Sequence, residues 1–302
     1  MSAPRGLALS IRGLEVRYPG SPVPVLRGLD LEVPAGTTVA VVGESGSGKT
    51  VLVRALLGMA PVRRGALLLD GLDLRSLGRG RRAALRRRIG TVFQSPVDSL
   101  DPRWTARRTV AEGLSLRLGG GLGTHLGEAG NLLDRVGIAA DRWDARPGAL
   151  SGGECQRVAV ARAVAGGPAL VLADEPTAML DPDVGRQVLD LLTSLQSSMG
   201  FTLVLVTHHL RELDRVPGGL LVLCAGRPAE RTVGYPENPR HPFSRHLWDA
   251  AVRPVAPVEL AAEGCPFRPG CPRALPGCAE GYPDPWQVEE GWVVWCRNPP
   301  LL

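Results

Sequence analysis

The sequence predicts an α/β fold in which a largely parallel sheet is covered by helices on both faces. Three apolar runs, residues 37–42, 169–174 and 202–208, lack a clean alternation of apolar and polar side chains, which is typical of strands buried on both faces. Helical spacing of apolar residues follows the first run, and residues 183–197, between the other two, form an amphipathic helical pattern. Strands that alternate with helices predict a three-layer α/β core.

Composition and charge narrow the class of protein. Of the 302 residues, 44% are hydrophobic, and the mean hydropathy is +0.03, as in soluble globular proteins. No apolar run approaches the roughly 18–20 residues that cross a bilayer, and the N-terminus lacks an export signal, so we expect a cytoplasmic chain. The net charge is +5, and its densest basic run, residues 79–88, predicts a solvated helix, because no aromatic residues interleave with the arginines as at a nucleic-acid site.

Two regions depart from the α/β core. Residues from about 95 to 150 are polar and rich in arginine and glycine, which predicts an inserted helical lobe. Beyond about residue 235, proline and cysteine become frequent, and this tail is too small to bury a large core of its own. Four of the six cysteines lie there, and in a cytosolic chain such a group favours a metal site over disulfides.

A glycine-rich loop follows the first predicted strand. The stretch GESGSGKT fits the P-loop pattern, in which inward-turned backbone amides and one lysine bind nucleotide phosphates and a threonine hydroxyl holds Mg²⁺. Its lysine is the only one among 35 Lys and Arg residues, which suggests that shape as well as charge matters there. The residues predicted to bind nucleotide are Gly43, Glu44, Ser45, Gly46, Ser47, Gly48, Lys49 and Thr50.

Two adjacent carboxylates end the second predicted strand. In ALVLADEP, Asp174 stands where a second carboxylate would hold Mg²⁺ through water, together with Thr50. Glu175 follows directly and is predicted to orient or deprotonate an attacking water. Together with the P-loop, this pair indicates an enzyme that hydrolyses ATP.

The stretch LSGGECQR, residues 150–157, resembles the signature motif of ATP-binding cassette (ABC) ATPases, with Glu154 where that family usually has glutamine. The resemblance implies a RecA-like core with an antiparallel β subdomain and a helical subdomain at about 95–165, together spanning residues 1–235. It also implies that Ser151, Gly152 and Gly153 cap the γ-phosphate of an ATP bound to a second cassette.

Other family motifs occur in the expected order, and their roles follow from the resemblance. Tyr18 would stack on adenine, and Gln94 would contact the metal and sense the membrane partner. Asp181 lies in the segment that resembles the D-loop. His208 resembles the switch histidine, although the next residue is His209 where the family usually has aspartate.

The rest of the chain resembles one branch of this family. FQSPVDSLDPRWT and NPRHPFSRHL are similar to segments of oligopeptide, dipeptide and nickel importer ATPases, whose C-terminal extension would here span residues 236–302. That extension holds a [4Fe–4S] cluster in some members. Iron–sulfur, zinc, and free or disulfide-linked thiols remain open, although the tight C-x2–4-C pair of zinc sites is missing. The four residues are Cys265, Cys271, Cys278 and Cys296.

These observations predict the energy-coupling ATPase subunit of a peptide-type importer at the cytoplasmic face of the membrane. The resemblance implies ATP and Mg²⁺ as cofactors. It also implies three kinds of partner: a second cassette, two transmembrane permeases, and a solute-binding protein that acts indirectly. The family's usual pairing makes the second cassette a paralogue of this chain. No nucleic acid is expected. The alternatives are an importer of nickel or another solute, or a soluble ABC ATPase such as a carbon–phosphorus lyase component.

Overall fold

The computed structural model describes residues 6–299. Its strands are β1 (Leu9–Val16), β2 (Leu26–Val33), β3 (Thr38–Val42), β4 (Val62–Leu69), β5 (Leu72–Asp73), β6 (Ile89–Val92), β7 (Leu170–Asp174), β8 (Thr202–Thr207), β9 (Gly219–Cys224), β10 (Arg227–Val233), β11 (Trp286–Glu289) and β12 (Trp292–Val294). Its α-helices are α1 (Lys49–Leu56), α2 (Arg79–Arg87), α3 (Pro96–Ser99), α4 (Ala106–Leu118), α5 (Leu126–Arg135), α6 (Gly152–Val164), α7 (Pro182–Met199) and α8 (Pro242–Val252).

The chain divides into two compact units. The first comprises residues up to 9, 33–38 and 69–206, and the second comprises residues 10–32, 39–68 and those from 207 onward. These units are defined by contacts between residues and each consists of several separate segments, so they do not test the expected division into a cassette and a C-terminal extension. The boundary at residue 235 and the helical subdomain at about 95–165 therefore stay predictions.

The first unit contains three parallel strands and most of the helices. β6 pairs with β7 and β7 with β8, all in parallel, and every residue of β7 and β8 is buried. α7 connects β7 to β8; Pro182 stands in its first turn, and a left-handed Gly200 ends it, as expected for those residue types. The strand predictions at 169–174 and 202–208 and the helix prediction at 183–197 are confirmed.

The basic segment at residues 79–88 also behaves as the sequence predicts. It forms α2, in which Leu85 is the buried residue while most of the arginines are exposed. The run is therefore a solvated helical face. None of the helices within residues 6–299 is long and apolar enough to cross a membrane.

The second unit is built on the strand that carries the glycine-rich loop. β3 is fully buried and pairs in parallel with β9, which pairs antiparallel with β10. Beyond β10 the chain adds β12 and then β11, both antiparallel. β2, β1 and β4 lie side by side in a separate sheet. The predicted strand at 37–42 and the helix after it are confirmed as β3 and α1.

The C-terminal tail packs more extensively than its size suggested. Phe243 and Phe267 are buried and belong to one hydrophobic cluster with Ala40 and Val42 of β3 and with Val222 of β9. The expectation that the tail buries little core overlooked this sharing, because a short segment gains a core by extending an existing one.

A buried carboxylate also attaches the tail to β10. Glu230 is 0% exposed and accepts hydrogen bonds from the backbone amides of Arg240 at 2.8 Å and His241 at 3.1 Å. The indole Nε1 of Trp292 donates to the same carboxylate at 2.7 Å. Because a buried carboxylate without such donors is costly, this arrangement fixes the start of α8 and the strand β12 against β10.

Candidate nucleotide-binding site

The glycine-rich loop joins the end of β3 to the first residue of α1, and its lysine points back into it. Lys49 is 4% exposed, and its Nζ donates hydrogen bonds to the carbonyl oxygens of Gly43 at 2.8 Å and Glu44 at 2.9 Å. The compact ammonium is thus enclosed by backbone oxygens. A planar guanidinium has a different shape and a wider fork of donors, so it fits such a space poorly.

The loop conformation leaves the start of α1 open to an anion. Gly48 adopts a left-handed conformation with φ of 100°, and a Cβ there would lie 2.7 Å from Leu26 Cδ2, so glycine is required. Gly48 caps α1 without a side-chain hydrogen bond, and the first turn contains no acidic residue. The positive end of the helix dipole therefore adjoins the loop with no acidic side chain in the first turn to oppose a phosphate.

A cavity of about 390 Å³ adjoins the loop within the second unit. The P-loop residues Gly43, Glu44 and Ser45 form one side, and His208 and His209 form another. The two imidazole rings are 3.9 Å apart between centroids, and the His209 amide donates to Thr207 Oγ1 at 3.0 Å. The structure thus places the predicted switch histidine beside the phosphate loop.

Tyr18, the predicted adenine-stacking residue, also belongs to the second unit. It follows β1 in a turn, where its carbonyl oxygen accepts from the Ser21 amide at 3.2 Å, and its side chain is half-buried. A partly exposed aromatic ring offers a face to a planar ligand.

In the first unit, the two predicted carboxylates end β7. Asp174 is 6% exposed, whereas Glu175 is half-buried. Glu175 has a φ of 47°, which is unusual for a residue with a side chain, and its amide donates to the Val206 carbonyl at 2.9 Å. Such left-handed residues cost free energy and cluster at functional sites, which agrees with a chemical role for Glu175.

Gln94 lies at the same edge of the parallel strands as Glu175. β6 and β7 are paired with Val92 opposite Ala173, so Gln94 and Glu175 each stand two residues beyond the same rung. Gln94 is exposed. Polar side chains that follow adjacent parallel strands are placed where ligands bind in α/β folds.

The signature stretch begins α6 and caps it. Ser151 Oγ accepts from the Glu154 amide at 3.2 Å, while the Ser151 amide donates to Glu154 Oε2 at 2.8 Å, so the two residues form a capping box. Arg142 Nε lies 3.3 Å from Glu154 Oε1. The Ser151 backbone first, and Arg142 second, lower the pKa of Glu154 to about 2. Glutamate at position 154, where the family usually has glutamine, is therefore stabilised by the capping box with Ser151 and by the ion pair with Arg142.

The glycines of this stretch differ in exposure. Gly152 is exposed, whereas Gly153 is buried against α7, and a Cβ on Gly153 would lie 2.6 Å from Val184 Cγ1. Asp181 is the exposed residue that precedes α7. Close packing of α6 on α7 thus depends on glycine at position 153.

The predicted site residues fall into two sets. The second unit contains Tyr18, residues 43–50 and His208, while the first contains Gln94, Asp174, Glu175, residues 151–153 and Asp181. Their roles stay predictions. Sequence reasoning missed the left-handed Glu175, for which the sequence has no signal, and the capping box, which the spacing S-x-x-E could have revealed.

The four C-terminal cysteines converge on one cavity in the second unit. Cys265, Cys271, Cys278 and Cys296 all line it as free thiols, together with His241 and three arginines. Backbone amides donate to two of the sulfurs, from Leu275 to Cys278 at 3.5 Å and from Asn298 to Cys296 at 3.4 Å. Burial raises the pKa of Cys296 to about 11. Within residues 6–299 no set of three or more Cys, His, Asp or Glu residues is arranged to hold a metal ion.

Known proteins are similar to this chain in sequence and in architecture. The family model for ABC transporters matches residues 26–178. A putative peptide import ATP-binding protein of Brucella ovis is 31% identical, over 95% of this chain and 96% of that protein. The di/tripeptide transport ATP-binding protein DppF of Pseudomonas aeruginosa is 34% identical, over 87% of this chain and 86% of its own length.

Solved structures agree with the fold. The ATP-binding cassette MJ0796, in a dimer bound to ADP and phosphate, has a TM-score of 0.68 and 27% identity, covering 76% of this chain and 99% of that one. CbiO1 from Clostridium perfringens, part of a transporter complex, has a TM-score of 0.66 and 26% identity, covering 81% of this chain and 92% of that one. The chain therefore belongs to the ABC transporter family, among the ATP-binding proteins of its peptide-import branch.

Proposed function

We propose that this ATPase is the energy-coupling subunit of a peptide-type importer, working as a cassette dimer docked on two membrane permeases at the cytoplasmic face. The observation that carries the proposal is the match over 95% of the chain with a putative peptide import ATP-binding protein, because the match covers the cysteine-rich extension as well as the cassette. A solute-binding protein outside the membrane would deliver the peptide.

The second unit would hold the phosphates. Lys49 and the amides of residues 43–50 bind the β- and γ-phosphates, and Thr50 binds Mg²⁺. Tyr18 stacks on the adenine. His208 lines the same cavity as the loop and contacts the γ-phosphate. His209 stands next to it, at the position where the family usually has aspartate.

The first unit would supply the hydrolytic groups. Asp174 and Gln94 would serve with Thr50 as ligands of Mg²⁺, and Glu175 would orient or deprotonate the water. Ser151, Gly152 and Gly153 present a helix N-terminus to the ATP of the second cassette, with Asp181 nearby in the dimer interface. The left-handed backbone at Glu175 supports this role, since strain of that kind is retained where it serves a function.

A groove in the first unit suits a permease segment. It has a volume of about 290 Å³ and is lined by residues of β6, α4 and α6. Phe93 and Leu116 line it and are exposed, at 39% and 57%, and Val97 nearby is 53% exposed. Exposed apolar side chains beside a groove mark an interaction surface, and Gln94 directly follows Phe93, which would link the permease to the nucleotide.

The groove is also stiff at its base. Arg117 is half-buried and donates to the carbonyl oxygens of Arg87 at 3.0 Å, Ile89 at 3.2 Å and Ala163 at 3.0 Å, which ties α4 to β6 and α6. Burial, together with Arg162, lowers its pKa to about 10, so it stays charged at neutral pH. A rigid floor lets force from the permease reach the strand that precedes Gln94.

We propose that the four cysteines would hold a [4Fe–4S] cluster only after their loops rearrange, since in the described residues they are not arranged to hold a metal ion. Four thiols converge on one cavity, and backbone amides that donate to sulfur are typical of iron–sulfur loops. His241, which is 2% exposed and lines the same cavity, has an Nε2 without a hydrogen-bond partner among the described residues. The free volume is about 10 Å³, about one water, so the loops would have to spread around a cluster. Such a group would crosslink the extension.

Metal analysis tests the cysteine site. Protein purified without oxygen should be brown and contain about four irons per chain, as a [4Fe–4S] cluster requires. Replacing Cys278 and Cys296 by serine should remove the colour and the iron, while the same change at Cys155, which is buried inside α6, should leave both in place. A colourless wild-type protein with one zinc per chain would overturn the cluster.

Transport tests the importer function. Vesicles that contain the chain, its partner cassette and the two permeases should hydrolyse ATP faster when peptide and the binding protein are added. Stimulation by nickel and not by peptide would show that the importer carries nickel, and would refute peptide as the solute. Purification with ribosomal RNA or a lyase complex, and without permeases, would refute the importer function.

Glu175→Gln tests the hydrolytic role of Glu175, and Asp183→Asn is its matched control. The amide keeps the size of the side chain but cannot accept a proton, so turnover should fall by on the order of 100-fold or more while ATP binding stays intact. Asp183→Asn, at an exposed carboxylate in the first turn of α7, should leave the rate unchanged. Wild-type hydrolysis by Glu175→Gln would refute the role of Glu175.

A further inference from the structure

One side chain of α8 lies between Phe267, in the loop that carries Cys265 and Cys271, and Glu44 of the phosphate loop. His246 Nε2 is 4.0 Å from Glu44 Oε1, and its ring is 5.4 Å from the ring of Phe267 between centroids. The His246 side chain is 16% exposed, so packing limits its rotamers. The imidazole therefore lies at ion-pair distance, beyond hydrogen-bond distance, from the second residue of the phosphate loop on one side and packs near the ring of Phe267 on the other.

The side of His246 that faces the phosphate loop is linked to Lys49 through the backbone of Glu44. The carbonyl oxygen of Glu44 accepts from Lys49 Nζ at 2.9 Å and from the Ser47 amide at 3.1 Å. A displacement of Glu44 would move an oxygen that positions the lysine ammonium. The Glu44 side chain is half-exposed, so His246 is a neighbour that can restrict it.

The contact on the extension side reaches the four cysteines. Phe267 is 2% exposed and stands between Cys265 and Cys271. The Arg268 amide donates to the Cys265 carbonyl at 3.1 Å, and the Gly270 amide donates to the Phe267 carbonyl at 3.1 Å. These turns bind Phe267 to the same short loop as two of the cysteines, so a rearrangement of the thiols moves the ring that His246 packs against.

We propose that His246 is a positioning residue for the phosphate loop, which transmits the arrangement of the four-cysteine loop to Glu44 and so to Lys49. The part that concerns Glu44 requires only the ATPase activity, whereas the part that concerns the cysteines rests on the proposed four-cysteine site. A role through Glu44 acts on the binding of ATP, and uniform changes in binding alter KM more than kcat.

Two substitutions separate the imidazole's polar contact from its packing. His246→Phe keeps an aromatic ring against Phe267 but cannot contact Glu44 through nitrogen, and it should raise the KM for ATP about two- to fivefold with little change in kcat. His246→Gln keeps an N–H group and should lie closer to wild type. Asp249→Asn, an exposed change on the same helix, is the matched control and should change neither parameter.

A double-mutant cycle identifies Glu44 as the recipient. In a Glu44→Gln background, His246→Phe should have a smaller effect on KM than in wild type, since the contact is already weakened. Equal effects in both backgrounds, or a loss of kcat alone, would overturn the proposal. Thermal unfolding of each variant shows whether the fold is retained; if His246→Phe unfolds, the cycle is run with His246→Leu, which also removes the ring nitrogens and for which full additivity counts against the proposal.

Substitution of a cysteine tests the other half of the path. Cys265→Ser should raise the KM for ATP in the wild-type chain but have little effect in the His246→Phe chain. An equal rise in both chains would overturn transmission through His246. Metal content, measured on the same samples, reports separately on the proposed cluster, so a protein without iron would still give a readable result for His246 and Glu44.

Discussion

Two helices of this protein begin at predicted phosphate sites, but their first turns differ. α1 begins after a left-handed glycine, with no side-chain cap and no acid in its first turn. α6 begins with Ser151 and Glu154 in a capping box, so part of its orphan backbone groups are already satisfied within the chain. The uncapped helix is prepared to bind an anion by itself, whereas the capped one is stable before any ligand arrives.

The difference fits the roles that the two loops have in the proposed dimer. In that dimer the phosphate loop would bind ATP in each cassette, and a helix start without an acidic residue, together with the enclosed Lys49, would favour the phosphates. In the proposed dimer the signature loop would act only when a second cassette brings its nucleotide, so it would have to keep its shape alone. Its cap provides that shape, and the negative Glu154 lowers its attraction for free anions in solution.

The largest effect is expected at the uncapped helix. Lys49→Arg keeps the charge, but the guanidinium does not fit the space in which Nζ lies 2.8 Å from the Gly43 oxygen, so hydrolysis should fall on the order of 100-fold. ATPase assays against Arg54→Lys, the reverse exchange on the exposed face of α1, provide the check. An unimpaired Lys49→Arg would show that charge alone suffices.

An intermediate effect is expected from removing the cap of α6. Ser151→Ala should cost about 1 kcal/mol of stability and lower turnover about tenfold at saturating ATP, while ATP binding to the single chain stays unchanged. Thr105→Ala removes the cap of α4, where the Arg108 amide donates to Thr105 Oγ1 at 3.2 Å, and should cost similar stability without the loss of turnover. If both variants lose turnover equally, the effect is only structural.

The smallest effect concerns the charge of Glu154. Glu154→Gln keeps the capping geometry but loses the ion pair with Arg142, which lowers the melting temperature by an amount equivalent to less than about 1 kcal/mol. Since the pKa of Glu154 lies near 2 in the folded chain, its contribution is present above the unfolded value of about 4.3 and is lost as the pH falls towards 2. The difference between the two proteins should therefore shrink in that range, and a constant difference would contradict the ion pair.

Local patterns in the sequence predicted the central elements of the fold correctly. β3, β7, β8 and α7 appear where continuous apolar runs and helical spacing placed them, because burial on both faces leaves a direct trace in composition. The phosphate loop was equally evident, since its glycines and lysine are close together in the chain.

Features that depend on distant pairings were not predictable. Glu230 of β10 pairs with Val294 of β12, and no local pattern in either segment predicts that these two strands are neighbours. The left-handed Glu175 and the contact of His246 with Glu44 are of the same kind, because each depends on neighbours that only the folded chain supplies.

The aromatic cluster of the tail has a consequence for building chimeric proteins. Phe243 and Phe267 share their apolar cluster with Ala40 and Val42, the strand residues that lead into the phosphate loop. Exchanging the tail for that of a relative would thus leave a mismatched surface directly beneath the nucleotide loop. A graft that carries β3 and the matching tail together should keep its activity, whereas a tail moved by itself should yield a cassette that expresses poorly and binds ATP weakly.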